Sequence, residues 1–246
     1  MDKPTLLLVA TLALAACGPR EDPQAAAAAQ ARAEAQAAEE MARAFEAEYA
    51  KGNWQLARAH GDILFSKHPG SAAAARIEAP YREARAKAER AREEQRLAAL
   101  WTYQTQPLPR GQQVTASLYA KERVDVDGSG PRPVQLIFRD HPEWGRSSYL
   151  VLEAGDFDCY GGCKVKVSVD GAAPKRMDAS RPRTDQAIAM FVEDERALWR
   201  LAKAAQTVAI EFPVEAGGTR TAVFEVGGLD PARMPAAWNR GRSTPP

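Results

Sequence analysis

Cys159 and Cys163, four positions apart in GDFDCYGGCKVKVSVD (155–170), are the residues of this 246-residue chain best suited by type and spacing to chemistry. Such a pair can ligate a metal, cycle between thiol and disulfide, or staple a turn. Structural zinc is four-coordinate and needs two more ligands. The nearest histidine in sequence is His141, and the one other cysteine, Cys17, lies far upstream. Thiol redox work prefers C-x-x-C at a helix start, where the thiolate is stabilised; this pair instead leads into a Val-rich run. A staple fits best, because Gly161 and Gly162 permit the tight reversal that brings two Cα atoms within about 4.4–6.8 Å. Closing so small a loop contributes only about 2 kcal/mol on the chain-entropy account. Its value would lie in fixing the turn and the aim of Asp156, Asp158 and Tyr160.

Other constellations are weaker. DVDGSG at 125–130 begins like a calcium loop, but an EF-hand needs an acid at its fifth position and Glu at its twelfth. Ser129 and Leu136 stand there, so Asp127-Gly128 reads as a hairpin turn. The histidines are His60, His68 and His141, and no Gly-x-Ser-x-Gly elbow or Gly-rich phosphate loop accompanies them. The aromatics Trp101, Tyr103, Trp144 and Trp199 could line a groove, although in a β-domain such rings usually fill the core. The expectation is a protein without catalytic residues, metal or cofactor.

The amino terminus reads MDKPTLLLVATLALAACGPRED. Lys3 provides a charged start, Leu6 to Ala16 is apolar, and small residues precede Cys17, the layout of an export signal. The run is too short to span a membrane, which takes about 20 residues. Leu14-Ala15-Ala16-Cys17 resembles the lipobox of bacterial lipoproteins. The resemblance implies cleavage after Ala16, acylation of Cys17 and firm anchoring by several acyl chains. Gly18, where an inner-membrane retention signal would have Asp, implies the outer membrane, facing the periplasm. With Cys17 carrying lipid, Cys159 and Cys163 are left as an even pair in an oxidising compartment, where disulfides persist.

The elements that position these residues divide by composition. Residues 1–16 form the signal, 17–23 a tether, 24–100 a helical region, 101–240 a β-domain and 241–246 a disordered tail. The mature net charge stays at +1, because the signal removes one acid and one base. That balance argues against a nucleic-acid partner, which requires a concentrated basic field. Fourteen alanines fall within residues 25–50, Asp22-Pro23 is a helix start, and Met41, Phe45 and Tyr49 recur on one face. Residues 24–38 have almost no apolar stripe and suit a solvated spacer. Lys51-Gly52-Asn53 ends this helix, a second runs from Trp54 to about Lys67, and Ser71 caps a third in which Pro80 predicts a kink or short break. GNWQLARAHGDILFSKHPGS resembles the second half of a tetratricopeptide repeat, with Gly52, Trp54, Ala57 and Pro69 in the expected places. Gly61 stands where the repeat usually has a large aromatic, and Phe45 where it usually has Gly. A hairpin this short needs a further surface to cover it, since about three repeats are required for a continuous core.

From Trp101 onward the period is two. Val165, Val167 and Val169 alternate with polar residues, as do Val208, Ile210, Phe212 and Val214, and then Ala222, Phe224 and Val226. With strand-like runs at 112–121, 133–139 and 147–153, about seven strands predict an antiparallel β-sandwich or small barrel. A helix over Glu193–Ala205 interrupts it, with Leu198, Leu201 and Ala205 on one side, and a short helix follows Asp230-Pro231. The fold class is therefore α+β. The segments KVKVSVDGAAPKRMDAS, IAMFVEDERALWRLAKAAQTVAIEF and AVFEVGGLDPA resemble a domain of exported proteobacterial proteins. That group includes accessory proteins linked to type VI secretion (the VasI group) and invasion-locus-B-like proteins. The resemblance implies a binding or assembly role in the cell envelope. The expected function is a lipid-anchored, non-enzymatic module that binds another envelope protein; the alternative is a small-ligand or glycan-binding module.

Overall fold

The computed structural model describes residues 22–183 and 188–239. The expected export signal, the expected lipidation site Cys17 and the expected tail at 241–246 lie outside the described residues. The chain divides into two compact units, one ending at Ala88 and the other beginning at Glu89.

In the first unit, Asp22 caps α1 (Pro23–Ala50), its carboxylate accepting from the Gln24 N–H at 3.0 Å. The early turns are exposed, and burial begins at Ala38, followed by Ala42 and Phe45. α2 (Trp54–Lys67) returns against α1, and α3 (Ala72–Ala99) starts on Ser71, whose hydroxyl accepts from the Ala74 N–H at 3.0 Å. Phe45, Ala57, Leu64, Ala74 and Ile77 form the shared core, with the rings of Tyr49, Trp54 and Tyr81 around it. Gly61 has a steric reason. A Cβ there would lie 2.3 Å from the Tyr81 ring, so the large side chain at this crossing comes from α3. Phe45 packs on the same Tyr81, with ring centroids 6.5 Å apart. α3 passes through Pro80 without the expected break. Proline removes one backbone donor, while Ile77 and Ala84, one turn to either side, are fixed in the core.

Among the described residues, the second unit contains nine strands: β1 (Thr102–Leu108), β2 (Gly111–Tyr119), β3 (Val134–His141), β4 (Gly145–Leu152), β5 (Cys163–Val169), β6 (Lys175–Ser180), β7 (Ile188–Val192), β8 (Thr207–Pro213) and β9 (Thr219–Glu225). They form one antiparallel sheet in the order β1-β2-β3-β4-β7-β6-β5-β8-β9. α4 (Glu195–Ala204) is inserted between β7 and β8, and a 3-10 turn (Pro231–Arg233) and α5 (Ala236–Asn239) follow β9. The architecture is α+β.

Directly paired residues share a face, and the register carries one apolar face through the whole sheet. Ala116 pairs with Phe138, Leu136 with Leu150, Leu150 with Met190, Val167 with Ile210 and Ile210 with Ala222. All of these belong to one core cluster. The sheet coils to enclose it: the N–H of Lys121, just past β2, donates to the Val223 carbonyl on β9 at 2.7 Å. α4 inserts Leu198, Trp199 and Ala202 into the core. The central large side chain is thus Trp199, whereas the expected Leu201 is only partly buried. β1, β6 and β7 are additional to the strands expected from alternation; β1 is largely exposed, and β6 is half exposed.

Candidate binding face

The β3–β4 hairpin turns through Pro142, Glu143 and Trp144, with His141 paired to Gly145. Gly145 takes φ 69°, a conformation costly for residues with a Cβ. The His141 Nδ1 accepts from the N–H groups of Glu143 and Trp144, at 3.1 and 3.2 Å, which fixes the turn. Trp144 consequently lies flat on the imidazole, with ring centroids 3.9 Å apart and planes 9° apart, yet stays 68% exposed. His141 thus supports an indole.

Alternation then builds a face beside that indole. With Leu136, Phe138 and Leu150 turned to the core, Ile137, Arg139 and Tyr149 point outward, and the register adds Phe191 of β7 opposite Tyr149. The Tyr149 and Phe191 rings stand 4.9 Å apart. The Arg139 guanidinium carbon lies 5.3 Å from the Trp144 ring centre, 5.2 Å from Tyr149 and 6.0 Å from Phe191. Its Nε donates to the Ser147 hydroxyl at 3.1 Å. Burial pushes the Tyr149 phenol above its ordinary range, with Arg139 acting weakly in the other direction. Tyr149 therefore stays neutral at physiological pH and presents a ring and a hydroxyl. The other aromatics considered from sequence divide: Trp101 and Trp199 are buried, and Tyr103 is half-buried with its hydroxyl accepting from the Asp230 N–H.

The cysteine turn lies elsewhere on the sheet. Cys159 and Cys163 are joined by a disulfide with a Cα–Cα distance of 4.9 Å, and the intervening Gly161 and Gly162 have φ of 81° and 107°. The stapled turn holds a buried ion pair. Arg181 is 4% accessible and reaches both Asp156 oxygens, at 2.8 and 3.1 Å, while the Tyr160 hydroxyl donates to Asp156 at 3.0 Å. The Arg181 N–H also donates to the Cys159 carbonyl at 3.0 Å. Burial raises the Asp156 pKa, but Arg181, the Phe157 N–H and Tyr160 outweigh it and hold the carboxyl below its ordinary range. The turn is a clamp in which Asp156, Tyr160 and Arg181 are engaged with one another. Asp158, which the sequence placed beside Asp156, has its N–H directed to the Pro213 carbonyl.

A polar groove of about 500 Å³ lies at the start of α4, lined by Arg146, Asp178, Glu193, Asp194, Arg196 and Arg200. Three of its charged groups have internal partners: Arg146 donates to the Ala237 carbonyl, Asp194 caps α4 and Asp178 pairs with Lys164. Among the described residues, no group of three or more His, Cys, Asp or Glu could hold a metal ion. Asp125 and Asp127 accept from the N–H groups of Gly128 and Ser129 and so shape a turn. Among the described residues, no helix is long and apolar enough to cross a membrane.

Sequence reasoning singled out Trp144 but missed Arg139, Tyr149, Phe191 and Arg181. The alternation of Gln135, Ile137 and Arg139 could have shown the outward side of β3. The β4–β7 pairing that brings Phe191 to Tyr149 has no local signal. No protein-family model, curated protein or solved structure matches this chain.

Proposed function

We propose that this protein is a lipid-anchored, non-enzymatic module of the cell envelope, tethered through Cys17 and acting by binding another envelope protein. The observation that carries this reading is an apolar stripe left open on α2: Leu56 is 54% exposed and Ile63 43%. Seven residues apart, they share one side of the helix, with the half-exposed His60 between them. Scattered surface apolar residues need no explanation, but an aligned stripe on a repeat-like hairpin is the kind of surface a neighbouring element covers. The exposed early turns of α1 suit a spacer between the anchor and this hairpin. The test is affinity capture from detergent-solubilised membranes with the full chain and with a Leu56→Glu/Ile63→Glu variant of unchanged helicity. A protein captured by the first and lost with the second supports the reading. Identical captures count against it.

A second reading is favoured by one specific observation, the Trp144–Arg139–Tyr149–Phe191 face. Small-ligand and glycan sites place aromatic surface beside a few aimed polar groups, and that face has this composition. On this reading the β-sheet unit binds a small molecule or saccharide in the periplasm.

A further inference from the structure

We propose that the outer face of β3, β4 and β7 binds an acidic saccharide, Arg139 pairing with the sugar carboxylate while Trp144 stacks against the sugar ring. This inference rests on the second reading above, ligand capture by the sheet, and names its ligand class. Arg139 is positioned without being neutralised. Its hydrogen bond is the one from Nε to Ser147, and among the described residues no carboxylate pairs with it. Glu143, the acid of the adjacent turn, is paired with Arg110 at 3.3 Å. A guanidinium carries five N–H donors in a planar fork that fits a carboxylate bidentately. Three rings within about 6 Å hold that fork in place, so little rotational freedom remains to be lost on binding.

Trp144 supplies the other half. An indole stacked on His141 and still 68% exposed is a rigid platform directed at solvent. The electron-rich face of an aromatic ring attracts the slightly positive C–H groups on the flat side of a pyranose. Polar groups lie next to Arg139 on this face: Thr115 pairs opposite it, Ser147 accepts from it, and Gln135 is linked to Ser117 at 3.2 Å. These groups suit sugar hydroxyls.

The full chain in detergent micelles is titrated calorimetrically with trigalacturonic acid and sialyllactose, and with the neutral galactotriose and lactose. Saturable binding of at least one acidic sugar is expected, at least about tenfold tighter than its neutral counterpart. Arg139→Gln should bring the acidic sugar down to the neutral level, and Trp144→Ala should weaken both about tenfold or more. Raising salt should weaken acidic binding alone. Thermal melts of both variants verify that the fold is kept. Equal binding of acidic and neutral sugars, unchanged by Arg139→Gln, overturns the acidic class and leaves the ligand reading standing. Binding that survives both substitutions overturns the site. No binding of any of the four sugars overturns the inference, and a membrane protein captured through Trp144 in that case assigns the face to protein docking.

Discussion

On β3 and β4, Leu136, Phe138 and Leu150 turn to one side of the sheet while Ile137, Arg139 and Tyr149 turn to the other. The inner residues are fully enclosed: Phe138 meets the rings of Trp199 at 5.0 Å, Trp238 at 5.8 Å and Trp101 at 6.2 Å. The outer residues are half-buried, and the indole at the end of their row faces solvent. Both sides use aromatic rings, but α4, α5 and the start of the unit cover one side alone. Aromatic composition therefore does not separate core from binding surface. What separates them is whether a second layer exists to cover the rings, and here the helices supply that layer on one side.

Five measurements test this contrast, beginning with the strongest. Phe138→Ala removes the ring at the centre of the inner cluster and should cost about 3–5 kcal/mol in denaturant unfolding; a loss under 1 kcal/mol would mean the inner side is loosely packed. Asp156→Ala removes the carboxylate that the buried Arg181 engages through both oxygens. Because the carboxylate is partly accessible, the expected loss is about 2–3 kcal/mol, below the 3–5 of a fully buried pair. The same pair predicts a pH response. The Asp156 carboxyl is depressed from its ordinary value of 3.8, so its stabilisation is present above that value and is lost as pH falls below about 4. Asp156→Asn should flatten the acid limb of the stability profile; an unaltered limb would remove this pair from the explanation. Converting both Cys159 and Cys163 to Ala should cost about 2 kcal/mol, since the closed loop is small, and a larger loss would show that the turn orders more than itself. Trp144→Ala should change stability by no more than about 0.5 kcal/mol. A destabilisation approaching that of Phe138→Ala would make the outer row a packing layer and end its candidacy as a binding face.

Much of the β-sheet unit was legible because period-two alternation is a direct consequence of one buried face. Val165 and Val167, Val208 and Ile210, and Ala222 and Phe224 all announced their side. β1 and β6 could not be read this way. Most of their residues are exposed, so pairing holds them while burial patterning is nearly absent. In the helical unit, Asp22 and Ser71 displayed their capping chemistry openly, whereas Gly61 became intelligible only once Tyr81, 20 residues later, was seen crossing it. The cysteine turn followed from its glycines, but Arg181, the residue it clamps, is brought there by the β5–β6 pairing and carries no local mark. The outer face was half-legible for the same reason: Trp144 stands in a turn and invites notice, while Arg139 acquires meaning from Tyr149 and Phe191 on two other strands.

The hydrogen bond from Lys121 to Val223 has a consequence for how this sheet meets other chains. A free outer strand is a template on which a foreign strand can add, whether a partner's or another copy's in an aggregate. Lys121 already occupies part of the β9 border. At the opposite border, β1 contains Pro107, which cannot donate to an incoming strand and is tolerated there because the strand is outermost. Extension by strand addition is hindered at both ends, and the molecule gains protection from ribbon-like self-association.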